Sequence, residues 1–196
     1  MGMMNVHQRS ASQRGFTLLE TMVTLSIAAI VGGMATANLV AARRVIQGDA
    51  AMRMVMTQLN TAREMAITQR RLMEVQFAGG NIVRIVRHEA PGIITTVVAT
   101  SILESRAQFA LTANVPDTPD GFGAAAPVSF GQALAVMFNT DGTLIDTNGS
   151  PVNGSVFLAI SGQTESTRAV TVLGSTGRVR GYKWVTNGAV GSWVRI

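Results

Sequence analysis

Side chains able to carry nucleophilic or acid–base catalysis are scarce in this chain. The sequence has 196 residues with no Cys, two His (His7 and His88) and no Gly-x-Ser-x-Gly segment. His88 stands beside Glu89 at the end of a β-rich run, where we expect a surface pair. The sequence therefore predicts that the protein is not an enzyme and uses no cofactor.

Four oxygen-bearing side chains, Asn139, Asp141, Asp146 and Asn148, cluster around two turn sequences. Such oxygens could ligate calcium, but they lack the regular ligand spacing of an EF-hand loop. Asp-Gly and Asn-Gly pairs are also typical of tight turns, since they tolerate a positive φ angle. We interpret the four as turn residues and predict no metal site.

The basic residues are concentrated near the C-terminus. The formal net charge is +5, and the sequence from Ser166 onward contains no acidic residue and these basic ones: Arg168, Arg178, Arg180, Lys183 and Arg195. In a strand, residues two positions apart share a face and lie about 7 Å apart. Arg178 and Arg180 would then match successive phosphates of a nucleic acid strand, with Lys183 nearby.

This basic tail has two interpretations. Tyr182, Trp184 and Trp193 offer aromatic faces that suit a single strand of DNA, so DNA is one candidate partner. The alternative is a turn followed by an edge strand, in which basic side chains prevent edge-to-edge aggregation. Tryptophan in such a position is also typical of a core or an interface.

A long apolar segment occupies residues 16–42, and Glu20 is its only charged residue. As a helix it would span about 40 Å, more than the roughly 30 Å of a bilayer core. A buried core helix is rarely apolar on all sides for this length. A secretory signal has a shorter apolar region followed by a small residue, whereas Gly15 precedes this one. A carboxylate within the segment costs roughly 2.5–3.5 kcal/mol on insertion scales, so Glu20 should have a partner.

Apolar residues continue at helical spacing beyond Arg43 and Arg44, and they predict one helix over about residues 16–70. The residues of this stripe are Met52, Val55, Met56, Leu59, Ala62 and Ala66. We expect Gly32, Gly33 and Gly48 to be soft points, because Gly weakens a helix interior by roughly 1 kcal/mol.

After Leu72 the period changes to that of strands. The β-rich runs are MEVQF, NIVRIVRH, ITTVVATS, ALAVMFN, TLID, SVFLAIS, RAVTVLG and GRVRGYKWV. Turn sequences separate several of them, and residues 114–127 hold enough Pro and Gly to form a loop. The predicted fold class is α+β, with an antiparallel β-sheet domain following the helix.

The segment Arg14-Gly15-Phe16-Thr17-Leu18-Leu19-Glu20 resembles the prepilin signal of type IV pilins and type II secretion pseudopilins. The resemblance implies that a prepilin peptidase cuts between Gly15 and Phe16 and methylates the new amino group of Phe16. It also matches Glu20 to the acidic fifth position of the family, which implies assembly through the Phe16 ammonium of a neighbouring subunit.

Downstream segments, among them VMFNTDGTLID and RAVTVLGSTGRVR, resemble the GspH/FimT group of minor pilins and pseudopilins. This resemblance implies a pilin-like fold, a long helix packed on two β-sheets. Residues 90–127 match the group little, and we expect a variable loop there. Gly177-Arg178-Val179-Arg180 is similar to the element by which FimT-type minor pilins bind DNA. A similar Gly-Arg pair ends many secretion pseudopilins. DNA binding and a turn followed by an edge strand therefore both remain open as roles for Arg178, Arg180 and Lys183.

The resemblance also sets the expected organisation. We expect a leader at 1–15, a transmembrane helix half at 16–42, an amphipathic half at 43–71 and a β-rich head at 72–196. The flanking basic residues do not decide the orientation, but the prepilin signal places the leader in the cytoplasm. The head then lies in the periplasm, and the partners are the inner membrane and other pilins or pseudopilins.

Overall fold

The computed structural model describes residues 16–89, 94–131, 135–187 and 190–196. The predicted leader with Gly15, and residues 90–93 of the predicted variable loop, lie outside these ranges. The chain divides into two compact units, Met1–Ala41 and Ala42–Ile196, and helix α1 (Leu18–Gln69) has residues in both. The predicted helix of about residues 16–70 is confirmed.

The first unit contains the apolar part of α1. Its window Leu18–Ala35 is long and apolar enough to cross a membrane, with a mean hydropathy of 1.8, and 0% of it is buried. Leu18, Leu25 and Ile30 are 76%, 75% and 61% exposed. An apolar surface around a whole helix is typical of a membrane span rather than of a helix in a soluble core.

The second unit begins with the amphipathic part of α1, whose predicted apolar stripe is confirmed. Val55, Leu59, Ala62 and Ala66 are each 0% exposed, while Met56 packs at the margin of the same core. Their spacing of three or four residues puts them on one face of the helix. This face is buried against the strands of the head.

The strands follow the helix in chain order, and most lie where the alternating pattern predicts them. They are β1 (Met73–Ala78), β2 (Ile82–His88), β3 (Thr95–Ile102), β4 (Ala107–Phe109), β5 (Val128–Ser129), β6 (Ala135–Phe138), β7 (Leu144–Ile145), β8 (Gly154–Ile160), β9 (Gln163–Leu173), β10 (Arg178–Asn187) and β11 (Val190–Arg195). The short strands β4 and β5 and the edge strand β11 were not predicted from the sequence. Because β3 and β4 lie within residues 90–127, the expectation of a variable loop over that whole range was wrong.

These strands form two antiparallel sheets. In the described part of the chain the first sheet has the order β3-β2-β1-β6-β7, and the second has the order β11-β10-β9-β8-β4 with β5 also paired to β8. One core joins the buried face of α1 to both sheets, and it includes Val75 of β1, Phe138 of β6 and Val170 of β9. The predicted α+β fold, a long helix followed by an antiparallel β head, is confirmed.

Gly48 has a different role from the one expected. A Cβ at this position would lie 2.6 Å from the backbone oxygen of Ser166, so the absence of a side chain lets α1 approach β9 closely. Around Gly32 a Cβ would meet nothing within 4 Å. Gly48 is therefore a packing position in an unbroken helix, and its interpretation as a soft point was wrong.

Candidate functional site

The start of α1 brings Phe16 and Glu20 to one exposed end of the helix. Thr17 caps the helix, since its Oγ1 accepts a hydrogen bond from the Glu20 N–H at 3.2 Å. The Thr-x-x-Glu spacing is that of a capping box, and a carboxylate in the first turn is stabilised by the helix dipole. Glu20 therefore has a local stabilising role that the sequence interpretation did not include.

Both side chains remain accessible to another molecule. Phe16 is 81% exposed, and Glu20 is exposed in the first turn. A free amino group on Phe16 would lie within one helical turn of the carboxylate on the chain. The arrangement can present an ammonium and a carboxylate together at the end of an apolar helix, where each can pair with its counterpart on a second chain.

The basic tail does not form the site that the sequence predicted. Arg178 is exposed and lies beside Asn60 and Arg63 of α1, where it lines a shallow cleft. Arg180 instead forms an ion pair with Asp120, from the loop that precedes β5. Arg178 and Arg180 are alternate residues of β10 and share a face, as predicted, but only Arg180 is engaged in this ion pair.

Asp120 is held by three donors on the second sheet. Thr171 Oγ1 donates to Asp120 Oδ2 at 2.6 Å, and Tyr182 OH donates to the same oxygen at 2.9 Å, while Arg180 binds Oδ1. Burial of the carboxylate opposes ionisation, but the two hydrogen bonds and the charge of Arg180 outweigh it, so the pKa of Asp120 lies below its ordinary value. The loop is thus fastened to β9 and β10 by an ionised carboxylate.

A second contact fastens the same loop to β11. Trp193 Nε1 donates to the carbonyl oxygen of Pro116 at 2.9 Å, and Trp193 packs edge-on against Trp184 with ring centroids 5.3 Å apart. Phe157 and Tyr182 are buried, and Trp193 packs against them. The aromatic residues of the tail therefore form a small second core, the alternative that sequence reasoning kept open for the two tryptophans.

Lys183 lies on the opposite side of β10 from Arg180. A Cβ at Gly181 would meet the sulfur atoms of Met52 and Met56, so the odd-numbered positions of β10 face α1. Lys183 accordingly lines a cavity with Val45 of α1 and with Glu165. The expectation that Lys183 joins Arg178 and Arg180 in one basic patch was wrong.

An ion pair with a fully buried guanidinium was not found from the sequence. Arg168 in β9 is 0% exposed, and its Nε donates to Asp49 Oδ1 of α1 at 2.6 Å. Its terminal nitrogens donate to the carbonyl oxygens of Val45, Glu165 and Thr167. A buried guanidinium needs all of these acceptors, and together they attach α1 to the second sheet.

The turn residues that resembled calcium ligands are engaged in turn hydrogen bonds. Asp141 Oδ1 accepts from the N–H and the hydroxyl of Thr143 at 2.9 and 2.6 Å. Asp146 Oδ1 accepts from the N–H groups of Asn148 and Ser150 at 2.8 and 2.9 Å. This geometry is that of side-chain-supported turns.

His88 pairs with a different residue from the one expected. Its Nε2 lies 2.8 Å from Glu74 Oε2 across β1 and β2. Glu89 is bound by Arg87 instead, and this hydrogen bond lowers the pKa of Glu89 despite some desolvation. The surface pair predicted between His88 and Glu89 was therefore wrong in its partner.

Comparison with protein families identifies the class of the N-terminal segment. Residues 10–36 match the prokaryotic N-terminal methylation motif. The prepilin-type signal recognised in the sequence is therefore confirmed. The matched residues begin before α1 and continue into the apolar part of that helix.

Two solved structures are similar to part of this chain. Both are crystal forms of FimU, a type IV minor pilin of Pseudomonas aeruginosa. The first is 17% identical, covers 67% of this chain and 84% of its own, and has a TM-score of 0.47. The second is 17% identical, covers 68% and 90%, and has a TM-score of 0.46. A comparison with curated proteins gives no match.

Proposed function

We propose that this protein is a minor pilin or pseudopilin of the GspH/FimT type, a structural subunit of a type IV pilus or type II secretion fibre. One observation carries the proposal. The methylation motif at residues 10–36 overlaps a helix segment, Leu18–Ala35, of which 0% is buried within its own chain. Apolar surface of this extent needs lipid or other helices around it.

The first step of the proposed pathway is processing. A prepilin peptidase removes residues 1–15 by cutting between Gly15 and Phe16, and the new amino group of Phe16 is methylated. Gly15 suits the cut site because it brings no side chain into a protease cleft. The mature chain is then held in the inner membrane by residues 16–42, with residues 43–71 and the head 72–196 in the periplasm.

The second step is assembly of α1 with the helices of other pilins. Glu20 is the lone charge of the apolar segment, and a carboxylate in lipid is costly unless it finds a partner. The Phe16 ammonium of a neighbouring subunit is the proposed partner. Capping by Thr17 fixes the first turn of the helix, so the carboxylate is presented at a defined position.

The geometry of β10 does not favour the alternative of DNA capture by the tail. Arg180 is already bound to Asp120, and Lys183 faces α1. Arg178 is exposed, but a single guanidinium supplies little of the multiple phosphate contact on which DNA binding depends. Gly177 is explained by its turn, since it has a φ of 63° and a Cβ there would meet Gly142 and Arg63.

The test of the proposed function is the exchange of Glu20 for an apolar residue. Glu20→Leu should still insert into the membrane, because it removes a charge from the apolar segment. Its incorporation into fibres should be lost, as measured by its amount in sheared and purified filaments. Glu64→Leu is the matched control, since Glu64 is exposed on the same helix but lies in the second unit.

Fibre incorporation of Glu20→Leu at the level of wild type and of Glu64→Leu would reject the pairing role. Retention of Glu20→Leu in the membrane fraction shows that loss of incorporation is not loss of insertion. Failure of all three proteins to reach the membrane fraction would reject the anchor itself.

A further inference from the structure

A row of polar side chains crosses the face of the second sheet that points away from α1. Ser155 of β8 lies opposite Thr171 of β9, and Thr171 lies opposite Arg180 of β10. Directly opposite residues of antiparallel strands share a face, so the three side chains point the same way. Tyr182 lies two positions beyond Arg180 and adds its hydroxyl to this face. The row therefore supplies three hydroxyls and one guanidinium.

This row has more hydrogen-bond donors than its present occupant uses. Asp120 accepts from Thr171, Tyr182 and Arg180. Ser155 is 0% exposed, yet its Oγ has no hydrogen-bond partner among the described residues. The buried Nε of Arg180 has none there either. Such groups are uncommon in a purely structural contact, so two of them in one row indicate a donor set suited to more than the Asp120 carboxylate.

Asp120 is presented by a loop tip, which we define as residues 117–123 and which carries its own hydrogen bonds. Asp117 accepts from the N–H groups of Thr118 and Gly123 at 2.7 and 2.8 Å. Among the described residues, the hydrogen bonds that join the loop tip to the sheet all go through Asp120. The loop tip can therefore leave the sheet without breaking its internal hydrogen bonds, as a locally opening segment does.

The chemistry of these donors favours a carboxylate. A guanidinium is a planar fork that matches the two oxygens of a carboxylate, and hydroxyls can donate to the same oxygens. The Arg180 side chain is 25% exposed, so the row can be reached from solvent. A single guanidinium does not form the track of cations that successive phosphates of DNA require. The row therefore suits one carboxylate group.

We propose that the second sheet carries an exchangeable carboxylate-binding site made of Thr171, Arg180 and Tyr182. Asp120 occupies this site in the isolated subunit, and an acidic side chain of a neighbouring subunit replaces Asp120 in the fibre. This inference rests on the proposed function, which brings other subunits against the head. Ser155 is a further donor for the incoming carboxylate. Asp120 is an internal competitor, so it lowers the apparent affinity of the site for any outside carboxylate.

The first test removes the internal occupant and supplies acetate as the probe. The full chain with Asp120→Ala is unfolded by urea in detergent at neutral pH and followed by tryptophan fluorescence. Acetate should raise the ratio of folded to unfolded protein about fivefold over chloride of the same ionic strength, because it binds the folded state alone. Wild type should respond equally to the two salts, since Asp120 fills its site.

Matched variants assign the acetate effect to the site. Adding Arg180→Gln to Asp120→Ala should abolish it, whereas adding Arg84→Gln, at an exposed position in β2, should not. Asp120→Asn gives a second reading if Asp120→Ala does not fold, because a neutral amide competes less than a carboxylate for a guanidinium. Equal responses to acetate and chloride in the Asp120 variants would overturn the site. An equal acetate effect in wild type would also overturn it.

The second test identifies the occupant in fibres. Arg180→Lys places an amine in the site, and a carbodiimide joins that amine to the carboxylate it contacts. Mass spectrometry should find a link to Asp120 in the membrane-held subunit and to a carboxylate of another chain in purified filaments. A link to Asp120 in both states would overturn the exchange. Absence of the wild-type protein from filaments would reject the proposed function, whereas the acetate result would still decide whether the site exists.

Discussion

The two parts of α1 have similar apolar residues in opposite surroundings. Leu25 in the first unit is 75% exposed, whereas Leu59 in the second unit is 0% exposed. The first part is apolar around its circumference, and the second confines its apolar residues to one face. The types of residue do not distinguish the two parts of α1, but the distribution of the apolar residues around the helix does. One helix can therefore serve a lipid or helix-bundle environment and a protein core in succession.

The largest expected effect tests this difference with one substitution at two positions. Leu59→Ala should lower the free energy of unfolding of the head by about 3–5 kcal/mol, because it leaves a cavity in a close-packed core. Leu25→Ala should leave that quantity unchanged. Urea unfolding of the full chain in detergent, followed by tryptophan fluorescence, measures both. Equal losses at the two positions would contradict the assignment of the two environments.

The next effect concerns the ion pair that attaches α1 to β9. Arg168→Met should destabilise the head by about 3 kcal/mol, since Asp49 loses its partner inside a partly buried contact. The carbonyl oxygens of Val45 and Glu165 also lose a donor. Arg53→Met is the control at an exposed position of α1 and should change stability by less than about 0.5 kcal/mol. Unchanged stability of the head in Arg168→Met would show that this ion pair does not hold α1 to β9.

The loop contact at Asp120 should make the head sensitive to acid. Folding lowers the pKa of Asp120, so its contribution is complete above the unfolded pKa of about 3.9 and is lost as the pH falls through the folded value. Asp120→Asn should cost about 2 kcal/mol near neutral pH, since it weakens hydrogen bonds to a charged group. The variant should also lose stability less steeply below about pH 4. Urea unfolding at several pH values checks this, and parallel pH profiles for the two proteins would refute it.

The smallest effect contrasts two glycines of α1. Gly48→Ala brings a Cβ to 2.6 Å from the backbone oxygen of Ser166, and the resulting overpacking exceeds the roughly 1 kcal/mol gained in helix propensity. We expect a net loss of about 1 kcal/mol in thermal or urea unfolding. Gly32→Ala meets nothing within 4 Å and should not lower the stability of the head. A stabilising Gly48→Ala would restore the interpretation of Gly48 as a soft point.

Local sequence signals accounted for much of the fold. The Asp141-Gly142 and Asn148-Gly149 pairs marked turns, and both glycines have a positive φ. The stripe through Leu59 identified the buried face of α1. β4 and β11 escaped prediction because AQF is too short to show alternation, and VGSWVR carries small polar residues typical of loops. Their pairing with β8 and β10 depends on the assembled sheet rather than on their own sequence.

The candidate site was predictable only where its residues are adjacent in sequence. Gly15, Phe16 and Glu20 lie within one segment of seven residues, and the motif match confirms the signal they belong to. The charges of the tail are not contiguous with their partners. Arg168 pairs with Asp49 across 119 positions, and Arg180 pairs with Asp120 across 60. A basic tail without acids in its own sequence thus becomes, on folding, partly neutralised by acids from α1 and a loop.

The proposed processing is tested most simply by the mass of the protein extracted from the membrane of a host with an active prepilin peptidase. The proposed processing predicts a chain that begins at N-methyl-Phe16 and lacks residues 1–15. Replacement of Gly15 by a bulky residue should leave the precursor uncut. An intact chain beginning at Met1, in a host whose own pilins are processed, would contradict the assignment of this protein to the prepilin class.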